Sequence, residues 1–246
     1  MYKENVPAEK FDDLDPRWGT GWSIAGLVLA VSLMWLVIRW LNSGVYYDGH
    51  IALILSYAVV WVPLLAASLL ACLIGGTRSV RRDLGLKFSW LDALFGISVG
   101  LFARVIASLI EIALYGRMTG LGVTFGETIY DGWWVFGTIL APILISPFVE
   151  ELFFRGLVQR SMLSISSRFS PAGLSVATSI VVSAVLFSIL HLTGVTNPTA
   201  AAVLGLSTFV FGIGSGILAA TTGRLGGSIV AHVTFNGSLV FAILLS

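Results

Sequence analysis

Two adjacent glutamates, Glu150 and Glu151, stand in a stretch rich in Leu and Phe that follows a long apolar run. An ionisable group inside a membrane segment is costly and is therefore a functional candidate by default. Glu151 lies four residues before Arg155, which is the favourable order for an ion pair on a helix. Glu150 points about 100° away from Glu151, because a helix has 3.6 residues per turn. We therefore predict that Arg155 holds Glu151, whereas Glu150 faces another group as a general base.

A second interpretation of the same pair stays open at this point. Carboxylates also occur at helix ends near the lipid headgroups, where water solvates them and they have no catalytic role. The burial of Glu150 and Glu151 decides between the two interpretations.

Two of the three histidines fall in later apolar segments. His191 closes one segment, with Phe187 one turn before it, and His232 lies one turn before Asn236 in another. His50 lies in a loop and is predicted to be incidental. A single histidine at a helix end is more often structural than catalytic, but polar groups inside a membrane tend to face the bundle interior. If these side chains meet the glutamates, they form the base, positioned water and oxyanion donors of a hydrolase.

A zinc site is an alternative use of the same residues. The motif His-Glu-x-x-His of zinc proteases is absent. Glu150, His191 and His232 could still supply three ligands, since two histidines and one carboxylate make an ordinary catalytic zinc site. No cofactor is therefore firmly predicted, and zinc stays open. A nucleophilic serine is less attractive because no Gly-x-Ser-x-Gly motif is present.

The composition indicates what kind of protein must position these side chains. The chain has 246 residues, of which 57% are hydrophobic and 11% charged, whereas soluble domains carry about 25% charged residues. Repeated apolar runs of about 20 residues predict an all-α, polytopic bundle of membrane helices. The net charge of +1 gives no electrostatic basis for binding nucleic acid. A lone cysteine, Cys72, allows neither an intrachain disulfide nor a cysteine-based metal site.

About seven transmembrane helices are predicted, with eight as the alternative count. The first three and the last three are expected at about 22–41, 51–74, 90–115, 173–192, 199–222 and 226–245. The fourth begins at Trp133 and runs into the two glutamates. We divide the chain into a polar cytoplasmic segment (1–21), helices without a recognised motif (22–132) and a catalytic core (133–246), all within one membrane domain.

Basic residues fall mainly on one side of these spans. The side that carries more of them is predicted to be cytoplasmic, and its members are Arg78, Arg81, Arg82, Lys87, Arg155, Arg160, Arg168 and Arg224. We expect a multi-pass protein of the cell membrane, and this rule places its amino terminus in the cytoplasm and its carboxyl terminus outside. Within the third span, Arg104 and Glu111 are seven residues apart and share one face. We expect them to form structural pairs, although they could also face a cavity.

Three motifs taken in order resemble those of the CAAX-protease and bacteriocin-processing (CPBP, or Abi) family of intramembrane proteases. That family includes the type II CAAX prenyl endopeptidase, also called the Ras-converting enzyme. The motifs are Glu150-Glu151-x-x-x-Arg155, Phe187-x-x-x-His191 and His232-x-x-x-Asn236. The resemblance covers about residues 133–246, and all the motif residues are present.

The resemblance implies an endopeptidase, labelled a metalloprotease, that cuts a peptide or membrane-anchored protein substrate at the lipid bilayer. Glu150 would activate water, and His191 would hold that water. His232 and Asn236 would form the oxyanion hole. Glu151, Arg155 and Phe187 would support these groups. Family architecture favours a glutamate-dependent mechanism without metal. The resemblance leaves the oligomeric state unknown.

Two other functions compete with the peptidase: a non-catalytic protein of the same fold, giving bacteriocin immunity or acting as a scaffold, and a small ion transporter. The intact motifs favour the enzyme, and the lack of an evident inverted repeat disfavours the transporter. One geometric problem remains, because the span count puts Glu150 near the cytoplasmic end of its helix and His191 near the outer end of its own. They meet only if one of these helix ends lies deep in the bilayer beside a water-filled cavity, which we predict.

Overall fold

The computed structural model describes residues 18–118 and 131–244, and all regular secondary structure in these ranges is helical. This confirms the predicted all-α, polytopic membrane bundle. There are eight helices in the described ranges: α1 (Thr20–Leu41), α2 (Gly49–Gly75), α3 (Val80–Asp83), α4 (Trp90–Tyr115), α5 (Gly132–Ser166), α6 (Ala172–Leu192), α7 (Pro198–Thr222) and α8 (Gly226–Leu244).

Six of these helices, α1, α2 and α4 to α7, are long and apolar enough to cross a membrane. Their bounds agree within a few residues with the predicted spans, except for the fourth. The last predicted span corresponds to α8. Most of the polar segment predicted at 1–21, and the greater part of the loop before α5, lie outside the described residues.

Helix α5 is much longer than the sequence suggested, and it corrects the expected depth of the glutamates. It has 35 residues, and Glu150 and Glu151 lie near its middle rather than at an end. Both are buried, with 8% and 0% of their surface exposed, so the interpretation as a solvated pair at a helix end is wrong. Arg155, counted above as a basic loop residue, is also buried inside α5, at 1% exposure.

Prolines explain why α5 departs from regular α-helical geometry without breaking. Residues Phe136–Ile145 and Leu152–Val158 have π-helical hydrogen bonding, which links each carbonyl to the N–H five residues later. The N–H of Ser146 accordingly bonds to the carbonyl of Ala141. The next carbonyl, that of Pro142, would need the N–H of Pro147, which proline does not have. The carbonyl of Pro142 is thus left available to a side chain.

Glycines let the neighbouring helices approach α5 and one another closely. A Cβ atom on Gly96 or Gly100 of α4 would lie 2.5–2.8 Å from atoms of α8, so these glycines allow α4 and α8 to pack backbone against backbone. A Cβ on Gly212 of α7 would lie 2.9 Å from the Cβ of Ala184 on α6. Gly212 and Gly216, four residues apart on α7, therefore allow α7 to pack closely against α6.

The second half of α5 forms the centre of the bundle. All seven residues of Leu152–Val158 are buried, and they contact α1, α2, α6 and α7. Because α5 is enclosed by neighbours, its charged side chains face protein rather than lipid. The large apolar side chains of α1, α2 and α4 are widely exposed, as expected for helices that face lipid.

Candidate active site

Glu150 lies at a point where both distant histidines reach it. Its Oε2 atom is 3.7 Å from Nε2 of His191 and 3.9 Å from Nε2 of His232. This oxygen is buried, yet it forms no hydrogen bond with any described residue. His191 and His232 follow Glu150 by 41 and 82 residues in the sequence. The packing of α5, α6 and α8 brings both around one carboxylate oxygen.

Glu151, in contrast, has a partner for each carboxylate oxygen. Its Oε1 accepts hydrogen bonds from Nη1 of Arg155 at 3.0 Å and from Nδ1 of His232 at 2.9 Å. Its Oε2 accepts one from Oγ of Ser215 at 2.7 Å. Arg155 also donates to the carbonyl of Gly212 at 3.3 Å. The predicted pairing of Glu151 with Arg155 is present, and it belongs to a buried network that ties α5 to α7 and α8.

The hydrogen bonds of the two imidazoles fix which ring nitrogen carries a proton. Nδ1 of His191 lies 2.9 Å from the carbonyl oxygen of Phe187, and a carbonyl only accepts, so Nδ1 is the donor. Nδ1 of His232 likewise donates to the carboxylate of Glu151. Each Nε2, the atom that faces Glu150, therefore has a lone pair when the ring is neutral and a proton only when the ring is charged.

Asn236 is oriented by the carbonyl that the π-helical part of α5 leaves available. Its Nδ2 donates to the oxygen of Pro142 at 2.8 Å. An amide nitrogen has two hydrogens, so one N–H of Asn236 remains for a ligand. The carbonyl that the π-helical part of α5 leaves available thus positions a side chain of α8.

An aromatic cluster around Phe187 holds the two histidines in place. The Phe187 ring centroid is 4.4 Å from that of His191 and 5.5 Å from that of His232. The Phe211 ring lies 4.5 Å from His232, and the guanidinium of Arg155 lies 4.6 Å from the Phe187 centroid. Phe187 is therefore in contact with all three motifs, consistent with the supporting role expected of it.

Two cavities meet at Glu150 and His191. The first, of about 310 Å³, extends among α4, α5, α7 and α8, and it is lined by Arg104, Glu111, His232 and Asn236 among others. The second, of about 240 Å³, lies between α1, α2, α5 and α6. Tyr57, Ser146, Glu150 and His191 line both. The predicted cavity beside the glutamate is present.

The structure brings together all seven residues named from the sequence, although their catalytic roles remain predictions. No pattern in the sequence pairs Ser215 with Glu151, because a serine in an apolar helix is common. The sequence favoured a structural role for Arg104 and Glu111, with a cavity as the alternative, and both side chains line the cavity. Their position on one face of a membrane helix was the available signal.

The possible zinc ligands Glu150, His191 and His232 converge, and the Nδ1 hydrogen bonds would suit metal-binding imidazoles. Within residues 18–118 and 131–244, no group of three or more His, Cys, Asp or Glu side chains is placed to hold a metal ion, and zinc stays the alternative to a metal-free site.

Comparison with known proteins gives one match. Residues 132–238 match the family model described as Type II CAAX prenyl endopeptidase Rce1-like. No curated protein and no solved structure matches the chain. The matched residues contain all three motifs, so the resemblance to the CPBP family is confirmed. This segment therefore resembles the Rce1-like family of CAAX proteases, in a chain with six described helices that are long and apolar enough to cross a membrane.

Proposed function

We propose that this Rce1-like protein is an intramembrane endopeptidase that hydrolyses a peptide bond of a membrane-associated protein or peptide, using Glu150 to activate water. One observation carries the proposal: a buried carboxylate oxygen without a hydrogen bond to any described residue faces two histidines at the meeting point of two cavities. A polar group buried without partners is costly, and binding of water and substrate offsets that cost.

In the proposed reaction, Glu150 takes a proton from a water molecule whose oxygen attacks the carbonyl carbon of the peptide bond. His191 holds the same water, because its Nε2 lone pair accepts the second hydrogen. The tetrahedral intermediate collapses with cleavage of the carbon–nitrogen bond, and Glu150 returns its proton to the leaving nitrogen. General acid–base catalysis of this kind contributes about 10²–10⁴-fold to the rate.

His232 and Asn236 stabilise the oxyanion that forms on the carbonyl oxygen. Since Nδ1 of His232 already donates to Glu151, its Nε2 can donate only when the ring is cationic. The cluster of Glu150, Glu151, Arg155 and a cationic His232 carries no net charge. The second N–H of Asn236 completes the oxyanion hole.

A variant that removes only the proton-accepting ability of Glu150 tests this function. Wild-type protein, Glu150→Gln and the control Asp48→Asn, an exposed cap at the start of α2, are expressed in cells that lack the protein. Membrane proteomics then searches for fragments that depend on it. We expect fragments with wild type and Asp48→Asn, and none with Glu150→Gln. Fragments that persist with Glu150→Gln contradict the proposal and favour a scaffold or immunity role.

The proposed mechanism uses no metal, which elemental analysis of the purified protein tests. Activity that survives dialysis against a strong chelator, with less than stoichiometric zinc, supports it. Stoichiometric zinc that is lost in His191→Ala overturns it and restores the zinc alternative.

We further propose a cell-membrane location with a cytoplasmic amino terminus. Without Arg155 and Arg160, which lie within α5, the basic residues predicted to be cytoplasmic still cluster around the α2–α4 connection and the turns after α5 and α7, and such an excess faces the cytoplasm. Cysteine labelling of intact cells checks it. Cysteines placed at Ser43 and Thr196 react with a membrane-impermeant reagent if the proposal is correct, and a cysteine at Arg81 does not; the reverse pattern inverts the topology.

A further inference from the structure

The two cavities that meet at Glu150 are lined by different polar groups. His232 and Asn236, the proposed oxyanion donors, line the first cavity but not the second. The substrate carbonyl therefore belongs in the first cavity, and the second reaches the same carboxylate from another side. Among the described residues, both cavities share Tyr57, Ser146, Glu150 and His191. Of these four, Ser146 has a reactive hydroxyl and no role in the proposed reaction.

An indole on α2 holds the hydroxyl of Ser146. Nε1 of Trp61 donates to Oγ of Ser146 at 2.9 Å, and an indole N–H only donates, so the serine oxygen is the acceptor. The Trp61 ring is itself fixed, because it stacks on Tyr57 at 4.9 Å and meets Phe136 edge-on at 6.4 Å. The proton of the Ser146 hydroxyl therefore points away from Trp61.

That proton has no acceptor among the residues that the structure describes. A serine inside a helix often donates to the carbonyl four residues earlier, which for Ser146 is the carbonyl of Pro142. The carbonyl of Pro142 instead accepts from Asn236 at 2.8 Å. A free donor thus lies where the two cavities meet, one helical turn before Glu150.

The three polar groups at this point match the hydrogen-bonding capacity of one water molecule. The carboxylate of Glu150 and the Nε2 lone pair of His191 accept, whereas the hydroxyl of Ser146 donates. A water bound to all three gives one hydrogen to each acceptor and receives one hydrogen bond, so its second lone pair stays free to attack a carbonyl carbon. Buried waters in proteins make about three hydrogen bonds.

The second cavity retains water best at this inner end. Its volume of about 240 Å³ has room for several water molecules. Its other walls include Met34, Val60 and Leu190, whose side chains offer no hydrogen bond, and a buried water needs about two to four polar partners. Because a substrate in the first cavity occupies the space on that side, water reaches the scissile carbonyl from the second cavity.

We propose that Ser146, oriented by Trp61, is the third residue that binds the attacking water, and that this water lies at the inner end of the second cavity. The inference rests on the proposed peptidase function, and it adds a hydroxyl donor and the side of attack. Glu150 takes one proton of the water, and the free lone pair forms the new carbon–oxygen bond. The carbon–nitrogen bond breaks as Glu150 returns that proton to the leaving nitrogen. The Ser146 proton stays on its own oxygen, so Ser146 is not a nucleophile, and Trp61 is a positioning residue.

Turnover kinetics test the role of the hydroxyl. The full-length protein in detergent micelles is assayed with a quenched fluorescent peptide that contains a cleavage site from a wild-type-dependent fragment. Loss of one hydrogen bond to the water predicts a turnover number about tenfold lower in Ser146→Ala. We expect KM to stay unchanged, because the serine does not contact the substrate.

Two further variants show whether the hydroxyl itself matters. Ser146→Thr keeps the donor and should retain most of the turnover number. Ser98→Ala is the matched control, since Ser98 is an exposed serine of α4 whose hydroxyl donates to the carbonyl of Leu94, and it should retain all of it. Turnover is expressed per folded molecule.

A double-mutant cycle tests whether Trp61 acts through Ser146. Trp61→Phe removes the N–H but keeps an aromatic ring beside Tyr57, and we expect turnover about threefold slower. In the Ser146→Ala background the same change has no further effect, because the hydroxyl that Trp61 orients is gone. Losses that multiply in the double variant contradict this orienting role, since an independent structural role of Trp61 would produce them.

The kinetic results also distinguish this inference from the proposed function. An unchanged turnover number in Ser146→Ala overturns the inference, as does a Ser146→Thr protein as slow as Ser146→Ala. A raised KM with an unchanged turnover number overturns it too, because Ser146 then contacts substrate instead of water. Cleavage that persists in Glu150→Gln removes both proposals, whereas full activity of Ser146→Ala beside an inactive Glu150→Gln removes only the third water contact.

Discussion

The two ends of the helical bundle differ in how fully their charged side chains are hydrogen-bonded. At the end with the basic connections, Asp92 accepts hydrogen bonds from the N–H of Ser89 at 2.6 Å and from Arg224 at 2.8 Å. Asp83 accepts from the backbone and hydroxyl of Thr77. These carboxylates close the turns before α4 and between α7 and α8, and their partners are part of the chain.

At the cavity end, charged groups keep one side open. Glu150 Oε2 and the terminal nitrogens of Arg104 have no hydrogen-bond partner among the described residues, although both side chains line the same cavity. Glu151 is adjacent to Glu150 in sequence, but both of its carboxylate oxygens have hydrogen-bond partners, as those of Asp83 and Asp92 do. A buried charge with all its partners stabilises the fold, whereas one with an open side is a candidate for binding a ligand.

The largest expected effect on stability comes from removing the charge of Glu151. Glu151→Gln leaves the buried cation of Arg155 without its counter-charge, and breaking a buried pair costs about 3–5 kcal/mol of stability. Glu150→Gln removes a charge without a hydrogen-bond partner, and we expect no loss of stability from it. Thermal unfolding of both variants in the same detergent measures the contrast. Equal destabilisation would remove the distinction between the two glutamates.

Asn236 sharpens the comparison because it combines one satisfied and one open N–H. Asn236→Ala should reduce the turnover number about 10²–10³-fold, as loss of one oxyanion donor does. Its hydrogen bond to Pro142 contributes about 1 kcal/mol to stability, so the fold should survive. Kinetics with a fluorogenic peptide substrate, beside Asn197→Ala at the exposed start of α7, would measure this. An unchanged turnover number for Asn236→Ala argues against the oxyanion role.

The smallest expected effect comes from Asp92→Asn, at the end of the bundle with the basic connections. Asp92→Asn weakens the contact with Arg224, and a hydrogen bond between charged groups contributes about 1.5–3 kcal/mol, reduced here because Arg224 is partly exposed. We expect a slightly lower melting temperature and full activity per folded molecule. A drop in the turnover number without loss of stability would show that the basic end takes part in catalysis.

The sequence went far in this protein because its chemistry-bearing residues are few. In a chain with 11% charged residues and three histidines, Glu150, His191, His232 and Asn236 stand out against an apolar background. The pairing of Glu151 with Arg155 also followed from spacing alone, since residues four apart on a helix are neighbours. The helix bounds were close wherever a polar loop ended an apolar run.

Where the sequence misled, distant parts of the chain decided the outcome. The prediction put the glutamates near a helix end because polar residues usually mark one, but Arg155, Ser215 and His232 satisfy Glu151 inside the bundle, and the helix therefore continues. Arg104 was expected to have a structural role, and only its place beside Phe235 and the cavity shows its open donors.

The sequence by itself determined that this is a membrane bundle, which residues could do chemistry, and which neighbours along a helix pair with each other. These properties are local, because they depend on composition and on a period of 3.6 residues. Only the tertiary structure decided that Glu150 keeps an open oxygen while Glu151 does not. That difference depends on which side chains of α6, α7 and α8 reach each carboxylate, and no local pattern encodes contacts between segments so far apart in sequence.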